Sequence, residues 1–214
     1  LAQLNPRLMM LCNPNNPTGT RLEAEAICQL AAAAPSTLLV VDELYEAFTG
    51  DSVLPQADFS ETPNLLVLRS LSKTAGIAGL RLGIAVGSAE VVDRISRVTG
   101  PYDINSFAVI AGMAALQDQE YVDDYVTEVL KAKAWLLNKL NKHEVRHHSA
   151  GGNYLLIWPS QGAASCEAAL RQEGILVRSM AGKALIDGSL RVSIGTTKQM
   201  KRFWKAFSTQ QGLS

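Results

Sequence analysis

The chain has 214 residues, 47% of them hydrophobic and 19% charged, with equal numbers of acidic and basic groups; this is the make-up of a globular protein with one large domain or one and a half. Zero net charge argues against a general nucleic-acid binder, which carries a basic excess, and no stretch reaches the ~20 uninterrupted apolar residues of a membrane helix. No charged-then-apolar signal segment opens the chain, and Cys12, Cys28 and Cys166 read as buried free thiols in a reducing compartment, the cytoplasm by default. Because the chain starts at Leu1 rather than Met and is in a core-like strand by Leu8, a fragment of a longer protein is the expectation.

Leu8 to Cys12 is an apolar run ended by Asn13-Pro14-Asn15-Asn16-Pro17-Thr18-Gly19-Thr20. Two X-Pro steps and a glycine there demand an extended, then turning backbone. Thr20 and Glu23 have capping-box spacing and predict a helix over 22–34, with Ile27, Leu30, Ala31 and Ala34 in helical period and Pro35 ending it. Leu38 to Val41 and Leu65 to Leu68 are continuous apolar runs of the kind buried on both faces of a parallel sheet. Leu82 to Gly87 reads as a fourth strand. The loop before it is too short for a parallel crossover, so it should run antiparallel to the third or lie away from it.

Helices are expected over 89–98, 106–117 and 120–142. The last has Val122, Tyr125, Val126, Val129, Leu130, Leu136, Leu137 and Leu140 on one face and a solvated Lys/Glu stripe on the other. From there the character changes to α+β, with a strand over 153–158, a helix over 163–173, strands over 175–178 and 190–194, and a closing helix. In that helix Met200, Phe203, Trp204 and Phe207 follow i, i+3, i+4, i+7, which reads as packing. His143, His147 and His148 flank a turn with no Asp, Glu or Cys at ligand spacing, so no metal site is expected.

Three motifs fall at the C-terminal ends of the expected strands, where open α/β sheets bind ligands. Asn16 stands in a loop with more prolines and asparagines than a plain connection requires. Asp42 follows the second strand with Tyr45 three residues on, although an Asp there is also a common turn residue. Ser70, Ser72, Lys73 and Arg81 follow the third strand. A lysine in a loop is ordinarily a surface residue. In small, uncharged surroundings it loses its proton more easily, and a neutral amine attacks carbonyls. Two hydroxyls and an arginine suit a phosphate. An amine, a carboxylate, hydrogen-bond donors and a phosphate-binding group together match what pyridoxal phosphate needs.

Asn-Pro-Asn-Asn-Pro-Thr-Gly at 13–19, Val-Val-Asp-Glu-Leu-Tyr-Glu-Ala-Phe at 40–48, and Ser-Leu-Ser-Lys at 70–73 with Gly-Leu-Arg-Leu-Gly at 79–83 resemble the fold-type-I pyridoxal-phosphate aminotransferases of class I/II. Pro-Tyr-Asp-Ile-Asn-Ser at 101–106, Gly-Ile-Leu-Val-Arg at 174–178 and Leu-Arg-Val-Ser-Ile-Gly-Thr at 190–196 are most similar to the histidinol-phosphate aminotransferase branch. The resemblance implies an α/β fold. An aspartate-aminotransferase-like large domain with a mostly parallel, partial sheet would fill 1–104, linking helices 105–142, and a small α+β C-terminal domain 143–214.

By the same resemblance, Lys73 would form the Schiff base with the cofactor and shuttle the proton at the substrate α-carbon. Asp42 would pair with the pyridinium nitrogen, Asn16 and Tyr45 would donate to the ring oxygen, and Ser70, Ser72 and Arg81 would bind the phosphate. Arg191 would take the substrate α-carboxylate and Arg178 would sit near a distal phosphate, each with the plain alternative of a strand-edge arginine. The implied reaction is amino-group transfer from an amino donor such as histidinol phosphate to a 2-oxo acid, in a homodimer. The alternatives within reach are a threonine-phosphate decarboxylase-like lyase and a non-catalytic aminotransferase-like module. Family members also carry an upstream segment with a Gly-rich phosphate loop and a stacking aromatic, neither of which stands before residue 13 here.

Overall fold

The continuous apolar runs become adjacent parallel strands, because only burial on both faces satisfies them. In the computed structural model, which describes residues 4–213, β1 (Leu8–Cys12), β2 (Leu38–Asp42), β3 (Leu65–Ser70) and β4 (Gly83–Gly87) form one sheet in that order. The first three run parallel and β4 pairs antiparallel with β3. Helix α1 (Ala24–Ala33) packs Ile27 and Ala31 onto Leu39, Val41, Leu65 and Val67. Val40 and Leu66, pointing the other way, are buried too. β1 departs from expectation. It is the sheet edge, and Leu8 and Met10 on its outer face are exposed while Met9 and Leu11 reach the core.

The capping box expected at Thr20 is not formed. Helix α1 starts at Ala24 with Glu23 as its N-cap and no side-chain cap bond. Asn13 organises the approach instead, its Oδ1 accepting from the N–H of Leu22 at 2.7 Å and its Nδ2 donating to the Leu22 carbonyl at 3.0 Å. A buried side chain nine residues upstream therefore outcompetes the local hydroxyl for the chain's direction. Helices α2 (Ala89–Ser96) and α3 (Ser106–Gln117) are capped by Ser88 and Asn105.

By packing, the chain divides into two units, 1–16 with 20–123, and 17–19 with 124–214. The division falls inside α4 (Gln119–Lys142). The second unit is built on β5 (His147–His148), β6 (Tyr154–Ile157), β7 (Arg178–Ser179) and β8 (Leu190–Ser193), in the order β5-β6-β8-β7 and antiparallel throughout. It also holds α5 (Ala163–Gln172) and α6 (Thr197–Gln211). Helix α6 opens with a capping box between Thr196 and Gln199. Its Met200, Phe203, Trp204 and Phe207 are all buried, with the Phe203 and Phe207 rings stacked at 5.5 Å.

The histidines do flank a turn, at 143–144, and His147 and His148 form the edge strand β5 just beyond it, their rings hydrogen-bonded to the backbone carbonyls of Val145 and Thr18. His143 lies against the Trp204 ring at 5.3 Å. The strand foreseen over 175–178 shrinks to Arg178–Ser179, because only those residues pair with β8. Among the described residues no cluster of three His, Cys, Asp or Glu could hold a metal ion, and no helix is long and apolar enough to cross a membrane.

Candidate active site

Parallel pairing sets the ends of β1, β2 and β3 side by side. Cys12 lies opposite Asp42 and Asp42 opposite Leu68. The ladder continues one residue further at each end, through Asn13 N–H to Asp42 O and Glu43 N–H to Leu68 O, both 2.9 Å. The loops carrying Asn16, Tyr45 and Lys73 therefore leave the sheet from neighbouring points, at the edge where ligands of such sheets bind.

Six of the predicted residues come together there. Asn16 Nδ2 donates to the hydroxyl of buried Tyr45 at 3.3 Å. Lys73 Nζ stands 5.8 Å from the centroid of the same ring. The hydroxyls of Ser70 and Ser72 are 2.8 Å apart, and the Ser72 N–H donates to Ser70 Oγ at 3.1 Å, which curls the chain back after β3. Ser70, Ser72, Lys73 and Arg81 line one cleft of about 380 Å³, within the usual range of small-molecule sites. Arg81 is held in the left-handed region (φ 61°) where a short 3₁₀ turn, Ala78–Leu80, ends. That conformation costs a non-glycine residue about 1 kcal/mol, and such strain is found where geometry serves a site.

Asp42 is at the adjacent strand end and does not line that cleft. One carboxylate oxygen accepts from the Leu44 N–H at 3.0 Å, so a local turn orients the group. Arg178 and Arg191 belong to the second unit and pair directly across β7 and β8. Like charges opposite one another destabilise a sheet unless an anion offsets them. Arg191 stacks its guanidinium 4.6 Å over the Tyr154 ring, and its Nε is buried with no hydrogen-bond partner among the described residues. Arg178 is exposed.

No motif marks a role for Glu43 and Arg69, of which Arg69 also lines the cleft. Glu43, 1% exposed, accepts from the Val53 N–H at 2.7 Å and from Ser52 Oγ at 2.8 Å. Arg69 Nε lies 3.1 Å from Glu43 Oε2, at ion-pair distance without hydrogen-bond alignment, while its Nη groups reach Glu46 and Ser52. Burial pulls the Arg69 guanidinium below its ordinary value, opposed by the Glu43 carboxylate. Side-chain alternation is the only signal that could have found the pair: Glu43 and Arg69 immediately flank Asp42 and Ser70 at the strand ends and so point away from them.

Removing Glu43 strands a largely buried cation that still has Glu46. Glu43→Ala is expected to cost about 2–3 kcal/mol, below the ~3–5 kcal/mol of a fully buried broken pair. Urea unfolding should show a lower midpoint at unchanged slope, and Glu43→Leu combined with Arg69→Met should recover part of the loss.

The donor set fits pyridoxal phosphate: an amine, two hydroxyls and an arginine around one cleft, with an amide–phenol pair and a carboxylate beside it. A family model described as aminotransferase class I and II matches residues 1–207. The chain is 36% identical over 207 residues to the histidinol-phosphate aminotransferase of Symbiobacterium thermophilum, covering 96% of this chain and 57% of that protein. It is 33% identical over 198 residues to that of Paracoccus denitrificans, covering 92% and 54%. The chain spans a little over half the length of these curated relatives.

Among solved structures, L-threonine-O-3-phosphate decarboxylase from Porphyromonas gingivalis superposes with a TM-score of 0.82 at 27% identity, over 94% of this chain and 63% of that one. A histidinol-phosphate aminotransferase from Sinorhizobium meliloti, in complex with pyridoxal-5′-phosphate, reaches 0.88 at 23% identity over 99% and 59%, a likeness of fold.

Proposed function

Because the chain belongs to the class I and II aminotransferase family, whose enzymes use pyridoxal phosphate, we propose that it carries the lysine-bearing part of such a cofactor site and serves amino-group transfer from histidinol phosphate to 2-oxoglutarate. The observation that carries the reading is Lys73 in one cleft with Ser70, Ser72 and Arg81, beside the Asn16–Tyr45 pair. When bound, the cofactor supplies an electron sink for bond breaking at the α-carbon of an amino acid.

The chain's own residues do the rest. Lys73 would hold the cofactor through its aldehyde, and its amine would take and return the proton at the substrate α-carbon. Asp42 would pair with the ring nitrogen and favour its protonated form. Asn16 and Tyr45 would donate to the ring oxygen, and Ser70, Ser72 and Arg81 would hold the phosphate. Arg191, with a buried unpaired Nε, takes the substrate's polar head, and Arg178 across the strand pair takes a distal phosphate. Homodimer formation and a cytoplasmic location belong to the same proposal.

The likeness to threonine-phosphate decarboxylase supports a second reading, a lyase using the same cofactor residues. Assaying the full polypeptide with both phosphorylated substrates separates them: 2-oxo-acid-dependent amine transfer is expected, whereas carbon dioxide release from threonine phosphate would favour the lyase. No visible absorption band on adding pyridoxal phosphate would sink both.

A further inference from the structure

Lys133 lies within the apolar face of α4, four residues after Val129 and three before Leu136, and is only 8% exposed. Its Nζ donates to the carbonyls of Ala150 at 2.5 Å and Gly152 at 2.9 Å. Burial pushes its ammonium below the ordinary lysine value, so the charge depends on those two oxygens. No helix-packing need explains an ammonium there; a leucine would fill the space without the desolvation cost.

The two carbonyls define the turn Ala150–Gly152, and that turn carries two structures. On one side the Gly151 N–H donates to the Gly19 carbonyl at 2.8 Å, and the neighbouring His148 Nε2–H donates to the Thr18 carbonyl at 2.9 Å. The approach is so close that a Cβ on Gly19 (φ +75°) would lie 2.4 Å from the Gly151 oxygen. Pro17–Gly19 directly continues the chain from Asn16. On the other side Gly152 abuts the Tyr154 ring, where a Cβ would come within 2.7 Å. That ring supports the Arg191 guanidinium at 4.6 Å.

We propose that Lys133 is a positioning residue. By clamping the Ala150–Gly152 turn it sets both the peptide that follows Asn16 and the ring beneath Arg191. The inference rests on the roles proposed for Asn16 and Arg191 and goes beyond them. It makes one ammonium, in contact with neither substrate nor cofactor, the common support of two ligand-binding groups. An ammonium suits the task because it donates in several directions from one point to carbonyls that no apolar side chain could satisfy.

The test compares Lys133→Met with Lys133→Arg in the full polypeptide. Backbone hydrogen exchange, read by mass spectrometry without any ligand, is expected to speed up in Lys133→Met for peptides spanning 13–20 and 148–153 while α5 and α6 keep their protection. The amino-donor KM is expected to rise about 10-fold or more with kcat little changed, the pattern of lost uniform binding. Lys133→Arg, which also donates twice, should restore both. If Lys133→Met does not fold, Lys133→Gln, which keeps one donor arm, is read the same way.

Faster exchange with an unchanged KM would reduce Lys133 to a structural residue and overturn the proposal, as would unchanged exchange. A wild-type chain that forms no visible band with pyridoxal phosphate sinks the functional reading and this role with it. A wild-type band alongside a wild-type-like Lys133→Met variant sinks the role alone.

Discussion

Lys73→Ala is expected to abolish the visible band formed with pyridoxal phosphate and to lower kcat/KM by about 10⁴-fold or more, the span of a lost general acid–base group alone and about 5 kcal/mol of barrier. Its stability should hardly move. Among the described residues Lys73 makes no hydrogen bond or ion pair, and its ammonium stands 5.8 Å from the centroid of the Tyr45 ring. The residue lies in the turn after β3, where the shape is set by the Ser70 and Ser72 hydroxyls rather than by the lysine. The measurement is therefore a pair: a thermal unfolding midpoint within about 2 °C of wild type, and a flat visible spectrum. A variant that keeps the band, or one whose activity loss tracks unfolding, would remove Lys73 from the cofactor.

Asp42→Asn should behave differently. The Leu44 N–H can be accepted by an amide oxygen as well as by a carboxylate, so the local turn survives. What disappears is the negative charge, and with it the partner that would keep the ring nitrogen protonated. The expected result is a retained band and a kcat lowered by about 10²–10³-fold, the size of losing one preorganised electrostatic partner. Wild-type turnover in Asp42→Asn would contradict the role. Loss of the band as well would mean that Asp42 serves binding rather than reactivity. Together the two variants separate covalent attachment from electronic tuning.

Much of the architecture was legible because it is local. The bounds of α3 follow from the Asn105 cap and the end of an apolar run, and the aromatic spacing of α6 places its buried face directly. The short connection before β4 ruled out a parallel neighbour, and the register shows it antiparallel to β3. That Asn16, Tyr45, Ser70, Ser72 and Lys73 gather at one end of the sheet was legible for another reason: each stands at or beyond the end of an apolar run, and strand ends are where a sheet puts groups it does not need for packing.

Where local rules compete with distant ones, the sequence pattern misleads. Thr20 and Glu23 spell a capping box, yet Asn13 holds Leu22 from both sides and α1 begins later. The apolar run of β1 reads as core, but no described residue covers Leu8 and Met10 on its outer face, and they stay exposed.

Periodicity and punctuation over a few residues suffice to order the strands and helices, to mark their apolar faces, and to place Asn16 and Lys73 in loops and Asp42 at the end of a strand. Which polar side chains are buried, and what they hold, follows from how distant segments fold together. Glu43 meets Arg69, 26 positions later by number, because β2 and β3 are neighbours. Gly19 meets Gly151 because residues 17–19 pack with the second unit rather than with the strand they follow. Lys133 stands out by spacing as a lysine on the apolar face of α4, but what it holds is set only when the Ala150–Gly152 turn folds over it. The physical reason is common to all three: each contact joins groups far apart in the chain, so the partner that satisfies a buried charge or backbone group is brought by the fold and lies in no window of neighbouring residues.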